Sequence, residues 1–483
     1  MNINKFYIKK SESVIKQTLI LVDYINKKVK TDNFQKLIRI ISNTFGIPLE
    51  KVEFEIKKNL VENHNFQIGK FSKKFNLVFM PISVIKYLTS FFYILIFSSK
   101  YKNPPEKCEI VFDEILSDDE RKRVLPLLNK FETYRIITEK NYENNKHSFI
   151  YRKQIGACRK FILSHLFQII FNNLFLSIFL SFKENTNLVP LILGQIKKII
   201  KYETIFQNIQ AKYLIQERPY TTSAIKNFIF KKYGGQTTCC TQRIIFHLGQ
   251  TGFYINTDIL FSLGKETSKI LELTGSEIVK IYPVGSMYFS NKWINSKKIA
   301  TEKIDIIHLS GNDSPSFQTD SKYLNNYYEQ LTWLKKLSID FPLLKVVLKH
   351  HEGNKFNDAK ELNILKGSNI KRLSGPTEPG KVNYSYGYAI NSRIRLTWAS
   401  TMAYELLGHG YSCFFLDPNL ENSAFLHEYD YNKSYRIPSY ISLKNKVREI
   451  LERTKPEIIE NKNNFCMDSL NTEEEIVKIL KKN

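Results

Sequence analysis

The spacing of apolar residues predicts that the chain begins with helices. In residues 13–29 (SVIKQTLILVDYINKKV) and 32–46 (DNFQKLIRIISNTFG), apolar side chains recur every three or four positions. This is the period of an amphipathic helix. From Cys108 onward, short apolar runs alternate with helical patterns, which is typical of a parallel sheet covered by helices. We therefore predict a helical N-terminal region followed by α/β architecture.

The alternation occurs as two series separated by an irregular stretch, Pro283–Trp293 (PVGSMYFSNKW). The first series contains the predicted strands CEIVFDEI, TYRIIT, AKYLIQERPY, QTTCCTQRIIF, DILFSLG and VKIYPVGS. The second contains the predicted strands EKIDIIHLSGN, LLKVVLKHHEGN, RIRLTWA and YSCFFLDP. We predict two tandem Rossmann-like domains, with the chain divided into residues 1–105 (helical), 106–288 (first domain), 289–445 (second domain) and 446–483 (C-terminal helices).

Two apolar stretches raise the question of membrane contact. Residues 161–182 (FILSHLFQIIFNNLFLSIFLSF) have no formal charge and are long enough to span a bilayer. His165, Gln168, Asn172 and Asn173 interrupt them, and such groups are costly in hydrocarbon. We therefore expect a buried or interfacial helix. The shorter stretch Tyr87–Ser99, flanked by lysines, is predicted to be a core helix or a membrane-surface contact.

Composition limits the binding partners and the cellular compartment that we expect for the protein. Lys and Arg outnumber Asp and Glu by 71 to 47, giving a net charge of +24, which favours anionic partners although an AT-rich genome also produces lysine-rich proteins. No nucleic-acid-binding motif is evident, so nucleic acid is not an expected partner. The six cysteines form no CxxC pair and are expected to be buried free thiols. The N-terminus has no signal-peptide pattern, and we expect a cytoplasmic protein.

Open α/β sheets bind ligands beyond the carboxyl ends of their strands, so the residues there are the candidate site. In the first domain, Asp113, Glu114 and Glu217 lie at the ends of predicted strands. A carboxylate in this position can act as a general base for a hydroxyl group. Carboxylates are also common helix caps, and that reading stays open for each of the three.

In the second domain, Ser310 and Gly311 follow the first strand, and Lys349, His350 and His351 follow the second. A glycine here lets backbone N–H groups approach a phosphate, although a tight polar turn has the same sequence. Lysine and histidine can contact a pyrophosphate or a nucleoside. Zinc is the rival ligand, but no metal-binding spacing completes the set.

A third strand end carries Ser400 and Thr401 at the start of a predicted helix, with Glu405 about one turn on. The hydroxyl and the free N–H groups of a helix start make an anion site, although Ser and Thr are also ordinary N-caps. Glu405 is placed to reach a ribose or sugar, or to be a solvated helix residue.

Three segments together resemble the GT-B glycosyltransferases: DILFSLGKETSKILELTGSEIVKIYPVGSMYF, VVLKHHEG and WASTMAYELLGHGYSCFFLDP. The pattern S-T-x-x-x-E-L-L-x-x-G before an apolar run and Asp-Pro is similar to that of bacterial surface-polysaccharide and lipopolysaccharide transferases that use CMP-sugars or CDP-glycerol. The resemblance implies two facing domains with a nucleotide sugar in the second. It also implies that His350 or His351 contacts the nucleotide and that Ser400 and Thr401 contact its phosphate. The chain departs from the family pattern in having no His-Pro pair and no Asp-Asp-Gly or Glu-Asp-Gly motif.

These observations lead to one leading hypothesis and two alternatives. The leading hypothesis is an inverting glycosyltransferase that needs neither metal nor cofactor and acts on a lipid-linked or polysaccharide acceptor at an anionic membrane, at the inner face of the plasma membrane. Asp113, Glu114 or Glu217 would be the base, and the helix start at Ser400 with Lys349 or a histidine would stabilise the leaving phosphate. The alternatives are a sugar-nucleotide 2-epimerase of the same fold and a catalytically degenerate assembly partner.

Overall fold

The computed structural model describes most of the chain. The described residues are 14–65, 70–96, 105–115, 124–138, 148–150, 159–216, 219–243, 245, 254–287, 289, 303–311, 321–350, 358–374, 385–398, 400–418, 430–453 and 458–482. Everything below refers to these residues.

Helices and strands follow one another along the chain. The helices are Val14–Val29 (α1), Asp32–Phe45 (α2), Leu49–Glu62 (α3), Met80–Ile96 (α4), Arg159–Phe167 (α5), Phe175–Glu184 (α6), Val189–Asn208 (α7), Ala224–Lys232 (α8), Ser321–Asp340 (α9), Ala359–Leu365 (α10), Ser385–Ile390 (α11), Thr401–Gly408 (α12), Tyr440–Glu452 (α13) and Thr472–Lys482 (α14). The strands are His64–Asn65 (β1), Lys70–Phe71 (β2), Glu106–Ile115 (β3), Tyr134–Thr138 (β4), Ser148–Ile150 (β5), Ile209–Gln216 (β6), Thr237–Thr241 (β7), Asn256–Ser262 (β8), Glu277–Pro283 (β9), Ile304–Leu309 (β10), Val346–Lys349 (β11), Lys371–Leu373 (β12), Ser392–Thr397 (β13), Cys413–Leu416 (β14) and Arg436–Ile437 (β15).

The first large sheet has seven strands in the order β5-β4-β3-β6-β7-β8-β9. Every neighbouring pair in it is parallel. Its central strands are buried on both faces, as the runs IVFD in β3 and LIQ in β6 require, because helices cover both sides of a parallel sheet. The longest covering helix, α7, has almost no polar face, and 14 of its residues are buried.

The second sheet has six strands in the order β12-β11-β10-β13-β14-β15 and is also entirely parallel. Counted along the chain this order is 3-2-1-4-5-6, the order of the doubly wound dinucleotide-binding fold. The strand order therefore confirms the predicted fold class, two tandem Rossmann-like α/β domains of GT-B-like layout behind an N-terminal helical region.

The N-terminal helices are packed against the first domain. Helix α3 contacts both α7 and α8, and its residues belong to the same apolar core as those helices. Buried polar contacts reinforce this packing: Lys198 in α7 binds Glu55 in α3 at 2.5 Å, and Lys58 in α3 donates to the carbonyl of Thr222. Helices α1–α3 therefore add a third layer to this face of the first domain.

The C-terminal helix α14 returns to the first domain. Its Ile476 and Leu480 are fully buried in a core shared with Ile110 and Phe112 of β3. Thr472, at the start of α14, donates to the carbonyl of Val284 at 3.1 Å. The chain thus crosses the domain junction twice, once after β9 and once before α14.

Most strands and helices of both series were predicted correctly, and a few elements were not. The pattern of KETSKILELTG, between two strands of the first series, predicts a helix, but the segment forms only a short 3₁₀ turn, Lys269–Leu273. The five cysteines in the described residues are free thiols, and four of them are buried, as predicted. The apolar stretch at residue 161 forms one continuous helix, in which a π-helical turn, Gln168–Leu174, joins α5 to α6.

Substitutions of two glycines are expected to have opposite effects on stability, because the glycines are packed differently. A Cβ at Gly408, the last residue of α12, would lie 2.4 Å from the Cβ and carbonyl oxygen of Cys466, whereas a Cβ at Gly194, inside α7, would meet only the Asn59 amide at 3.8 Å. Gly408→Ala is expected to lower the free energy of unfolding by about 1–3 kcal/mol through overpacking. Gly194→Ala is expected to raise it by about 0.5–1 kcal/mol through helix propensity. Chemical denaturation measures both, and equal effects of the two variants would contradict this packing.

Candidate functional site

The reversal of strand order in the second sheet creates a crevice at its centre. Strand β10 lies between β11 and β13. The connection that leaves β10 runs to β11 on one side, and the connection that leaves β13 runs to β14 on the other side, so the carboxyl ends of β10 and β13 are left uncovered. Thr397, the last residue of β13, donates its hydroxyl to the carbonyl of Leu309 at 2.8 Å and ties the two strand ends together. Residues following Leu309 and Thr397 therefore border the crevice.

Ser310 and Gly311 leave β10 at this point. The side chain of Ser310 is 7% exposed, and its hydroxyl oxygen has no hydrogen-bond partner among the residues that the structure describes. Its backbone N–H donates to the carbonyl of Lys349 at 3.0 Å, which fixes the turn. A buried hydroxyl without a partner is unfavourable, so this position suits a water molecule or a ligand atom.

Ser400 and Thr401 lie on the other side of the crevice, at the start of α12. Ser400 has the extended backbone of an N-cap residue, with φ −106° and ψ 135°, but its side chain makes no capping hydrogen bond. The first N–H groups of a helix have no acceptor within the helix. The hydroxyl of Ser400 and these N–H groups are thus a set of donors at the positive end of the helix dipole.

Thr401 also connects the two domains. Its hydroxyl oxygen accepts a hydrogen bond from the backbone N–H of Ile245 at 3.3 Å, and Ile245 follows β7 of the first sheet. Strands β7 and β13 both run toward this contact, so the carboxyl edges of the two sheets face each other here. The crevice of the second domain therefore opens toward the binding edge of the first.

The predicted donor residues on β11 are held in a buried cluster. The Nε2 of His350 lies 2.9 Å from Oε1 of Glu361, which also binds Arg372 at 2.6 Å. The other carboxylate oxygen, Oε2, accepts a hydrogen bond from the hydroxyl of Tyr327 at 2.6 Å. Burial, and then the charges of Arg372, Lys349 and His308, lower the pKa of His350 to about 4. His350 is therefore neutral at pH 7 and serves as a hydrogen-bonding group and not as a cation.

Lys349 and His308 complete this cluster. Lys349 is 1% exposed and donates to the carbonyl of His350 at 2.7 Å. His308, on the central strand β10, is fully buried with its Nε2 3.0 Å from Gln330, and burial lowers its pKa to about 4. His308 was not selected from the sequence, although its position two residues before Ser310 on an apolar strand was the available signal. His351 lies outside the described residues.

Glu405 is a junction residue in this structure. Its carboxylate accepts hydrogen bonds from the hydroxyls of Ser286, which follows β9, and Tyr386, on α11. Burial raises the pKa of Glu405 to about 7, against the lowering effect of these two hydrogen bonds. A contact of Glu405 with a ribose or sugar stays a prediction. The sequence carried no signal for Ser286 or Tyr386 as its partners.

In the first domain, Asp113 lies at the carboxyl end of β3, beside Gln216 of β6. Its carboxylate forms an ion pair with Lys226 of α8, and both side chains are fully buried. The second carboxylate oxygen of Asp113 and the amide of Gln216 have no hydrogen-bond partner among the described residues. The side chain of Glu114 and the whole of Glu217 lie outside the described residues, so the choice among the three carboxylates stays a prediction.

A small pocket with a cavity volume of about 10 Å³ lies at the neighbouring strand end of β7. Its walls come from the end of β7, the linker after β9 and the start of α14, with Gln242, Arg243, Gly285 and Thr472 among the lining residues. The first domain therefore has a small recess with both polar and apolar lining residues on the edge that faces the second domain.

Comparison with known proteins gives similarity in structure only. No protein-family model matches the chain, and no curated protein matches it. Among solved structures, the UDP-GlcNAc 2-epimerase from Methanocaldococcus jannaschii is 13% identical, covers 78% of this chain and 100% of its own, and gives a TM-score of 0.45. The UDP-GlcNAc 2-epimerase from Neisseria meningitidis bound to UDP-GlcNAc is 11% identical with coverages of 78% and 100% and a TM-score of 0.45. The wall teichoic acid polymerase TagF, solved with CDPG, is 11% identical with coverages of 84% and 98% and a TM-score of 0.43.

The raised pKa of Glu405 predicts how stability depends on pH. A carboxyl group with a folded-state pKa of about 7 stabilises the folded protein fully at pH values below its pKa in the unfolded chain. This stabilisation is lost as the pH rises through about 7. The loss is at most about 3 kcal/mol for this size of shift. The free energy of unfolding of Glu405→Gln is therefore expected to change less between pH 5 and pH 8 than that of the wild type. Denaturation at the two pH values measures this, with the exposed Glu50→Gln as control, and an unchanged difference in Glu405→Gln would contradict the assignment.

Proposed function

We propose that the protein is a glycosyltransferase that takes a sugar from a nucleotide-sugar donor bound in the crevice of the second domain. One observation carries the proposal: the uncovered strand ends of the second sheet, with Ser310 and the start of α12 on either side, face the carboxyl edge of the first sheet through the Thr401–Ile245 contact. Transfer of a group between two substrates requires a donor site and an acceptor site that face each other.

The start of α12 is the proposed phosphate site. Ser400 does not use its hydroxyl as a cap, and an oxyanion at this point would receive hydrogen bonds from that hydroxyl and from the first backbone N–H groups of the helix. Such donors stabilise the charge that develops on the leaving phosphate without rearrangement during the reaction. Gly311 allows the backbone on the opposite side of the crevice to approach the same phosphate.

The neighbouring histidines suit the nucleoside more than the phosphate. His308 and His350 are both held neutral by burial, with pKa values lowered to about 4, so neither adds positive charge at neutral pH. Lys349 is the nearest cation, and it is buried beside them. In the proposed complex, Ser400 and Thr401 hold the phosphate, while Lys349 and the histidines shape the floor of the nucleotide site.

The first domain supplies the base in this proposal. A carboxylate at its sheet edge takes the proton from the acceptor hydroxyl, the acceptor oxygen forms a bond to the anomeric carbon, and the bond from that carbon to the nucleotide phosphate breaks with the electron pair going to phosphate. Attack opposite the leaving group inverts the anomeric configuration. Asp113 is the described candidate, because its carboxylate forms an ion pair with Lys226 and its other oxygen has no partner among the described residues.

The proposals for the acceptor and for the nucleotide of the donor are based on composition and on the family resemblance. The net charge of +24 favours an acceptor that carries phosphate or is linked to a lipid at an anionic membrane. The segment WASTMAYELLGHGYSCFFLDP resembles transferases of bacterial surface polysaccharide and lipopolysaccharide that use CMP- or CDP-linked donors. The proposed place of action is therefore the inner face of the plasma membrane.

Nucleotide-induced stabilisation tests the donor site. CMP, CDP, UDP and GDP would each be added in a thermal-unfolding experiment, and one of them is expected to raise the melting temperature, since ligand at about 100 times its Kd adds about 2.7 kcal/mol. The double variant Ser400→Ala/Thr401→Ala is expected to lose most of this response. The absence of stabilisation by all four nucleotides would overturn the proposal.

A matched control separates ligand contacts from helix capping. Ser439 caps α13 with a hydrogen bond from the N–H of Ser442 at 3.2 Å. Ser439→Ala should lower stability by about 1 kcal/mol and leave the nucleotide response intact. Ser400→Ala should show the reverse, because Ser400 makes no capping bond. If both variants behave alike, Ser400 is an ordinary cap.

Replacing each candidate carboxylate with its amide identifies the base. Asp113→Asn, Glu114→Gln and Glu217→Gln would be assayed for sugar transfer and for nucleotide binding. One of the three variants is expected to transfer sugar about 10²–10⁴-fold more slowly than the wild type, because it lacks the general base. Its nucleotide binding is expected to be unchanged. Conversion of the sugar nucleotide into its 2-epimer without an acceptor would favour the epimerase alternative, and nucleotide binding with neither reaction would favour the degenerate assembly partner.

A further inference from the structure

The helix formed by residues 161–184 buries several polar side chains against the protein and exposes a row of aromatic side chains, beside which Ser164 and Asn172 are also exposed. Asn173, Ser177 and Ser181 are fully buried, and Asn173 donates to the hydroxyl of Thr44 at 3.2 Å. The opposite face is at least half exposed and carries Leu163, Phe167, Phe171, Phe175, Phe179 and Phe182. A surface helix in contact with water has the reverse arrangement.

The exposed phenylalanines form a continuous strip. Phe167, Phe171, Phe175 and Phe179 are spaced four residues apart, which places them along one side of the helix. The rings of Phe167 and Phe171 are stacked with centroids 4.7 Å apart, and those of Phe171 and Phe175 are 5.8 Å apart. The strip is therefore already ordered in the protein alone.

A second helix extends this surface. The hydroxyl of Tyr87 in α4 donates to the carbonyl of Ile169 at 2.8 Å and joins the two helices. Around α4, seven large apolar side chains are exposed: Val78, Phe79, Ile82, Ile85, Phe92, Tyr93 and Ile96. The exposed apolar side chains of residues 161–184 and 77–96 are called the aromatic surface below. A concentration of large exposed apolar side chains on two helices in contact is characteristic of an interaction site.

Lysines border the aromatic surface. Partial burial, and then the nearby Lys86 ammonium group, lower the pKa of both Lys74 and Lys197, so these three lysines lie close together. None of them forms an ion pair with a carboxylate in the part of the chain that the structure describes. Lys183 lies over the ring of Phe179, 4.5 Å from its centroid. The carboxylate of Glu62 partly offsets the charge of Lys74. An apolar face bordered by lysines matches the headgroup region of an anionic bilayer.

We propose that the aromatic surface binds the protein to an anionic lipid bilayer, with both helices lying in the plane of the interface. The helix of residues 161–184 is long and apolar enough to span a membrane by length and composition. However, Asn173, Ser177 and Ser181 on its inner face are packed against the protein, and this fixes the helix to the first domain. The inference stands on this surface alone and does not depend on the nucleotide site.

The orientation of α7 relates this surface to the binding edge of the first domain. Helix α7 ends at Asn208 and β6 begins at Ile209, so α7 folds back along the strand, and its first residues lie at the level of the carboxyl end of β6. Asn187, just before α7, donates to the carbonyl of Lys74 at 2.8 Å and to the hydroxyl of Ser83 in α4 at 2.9 Å. Lys74 and the start of α4 are therefore at the cleft end of the first domain, where a lipid-linked substrate would enter from the bilayer.

Vesicle flotation of the full-length protein tests the proposal. The wild type is expected to float with vesicles of equal parts phosphatidylcholine and phosphatidylglycerol and to bind pure phosphatidylcholine vesicles at least about tenfold less, because each lysine near an anionic surface contributes to binding. Phe167→Ser/Phe171→Ser/Phe175→Ser is expected to abolish flotation, and Lys74→Glu/Lys86→Glu to reduce it to the level seen with phosphatidylcholine.

Matched variants and a second measurement keep the test decisive. Leu343→Ser/Ile441→Ser/Ile458→Ser removes apolar side chains elsewhere that are even more exposed than the three phenylalanines. Lys303→Glu/Lys371→Glu reverses exposed charges of the second domain. Both variants are expected to float like the wild type. Thermal unfolding and nucleotide response of the phenylalanine variant should match the wild type, since the replaced side chains are exposed.

Three results would overturn the proposal. Equal flotation of the phenylalanine variant and the wild type would show that the aromatic surface is not the contact. Resistance of the bound wild type to extraction by 1 M salt and alkaline carbonate would indicate a spanning helix. A wild type that does not float and is a dimer by light scattering, with a monomeric phenylalanine variant, would assign the surface to a second copy of this chain.

Discussion

The structure depends on the order of strands in the second parallel sheet. Because the connection leaving β10 runs to β11 and the connection leaving the neighbouring β13 runs to β14 on the opposite side, two strand ends are left without a covering connection. Ser310 and Ser400 occupy those ends. Backbone connectivity thus creates a crevice before any side chain is considered, and the side chains then give it its polar character.

One short helix connects this crevice to the domain junction. Helix α12 has eight residues. Its first residue, Thr401, reaches Ile245 of the first domain. Glu405 in its middle is bound by Ser286 and Tyr386, and Gly408 at its end is packed directly on Cys466. Contacts along the whole helix therefore set where its N-terminus lies relative to the first domain. A structural change at the domain junction would therefore move the proposed phosphate site.

The features that the sequence predicted well are those encoded locally. A strand, two hydroxyl residues and a helix follow one another at residues 392–408, so the position of Ser400 at a helix start could be inferred from a short window. The seven-stranded sheet was foreseen only in part, because β5 has three residues and lies at an edge. Helix α7 was missed because it is buried nearly all around, and a helix without a polar face has no amphipathic period.

The partners of the candidate residues could not be predicted in the same way. Glu405 and Ser286 are 119 residues apart in the chain, and Asp113 and Lys226 are 113 residues apart. His350 and Glu361 are only 11 apart, yet nothing in the pattern of residues 350–361 indicates a buried hydrogen bond. Burial and pairing are properties of the tertiary fold, and they determine whether a histidine or a carboxylate is charged. The sequence could nominate these residues but could not assign their protonation.

The most direct test of the account is the structure of the protein crystallised with the nucleotide that stabilises it most. The account predicts that the phosphate lies within hydrogen-bonding distance of the Ser400 hydroxyl and the first backbone N–H groups of α12, with the nucleoside toward His308 and His350. A nucleotide bound at the sheet edge of the first domain, or a phosphate bound away from the start of α12, would contradict it.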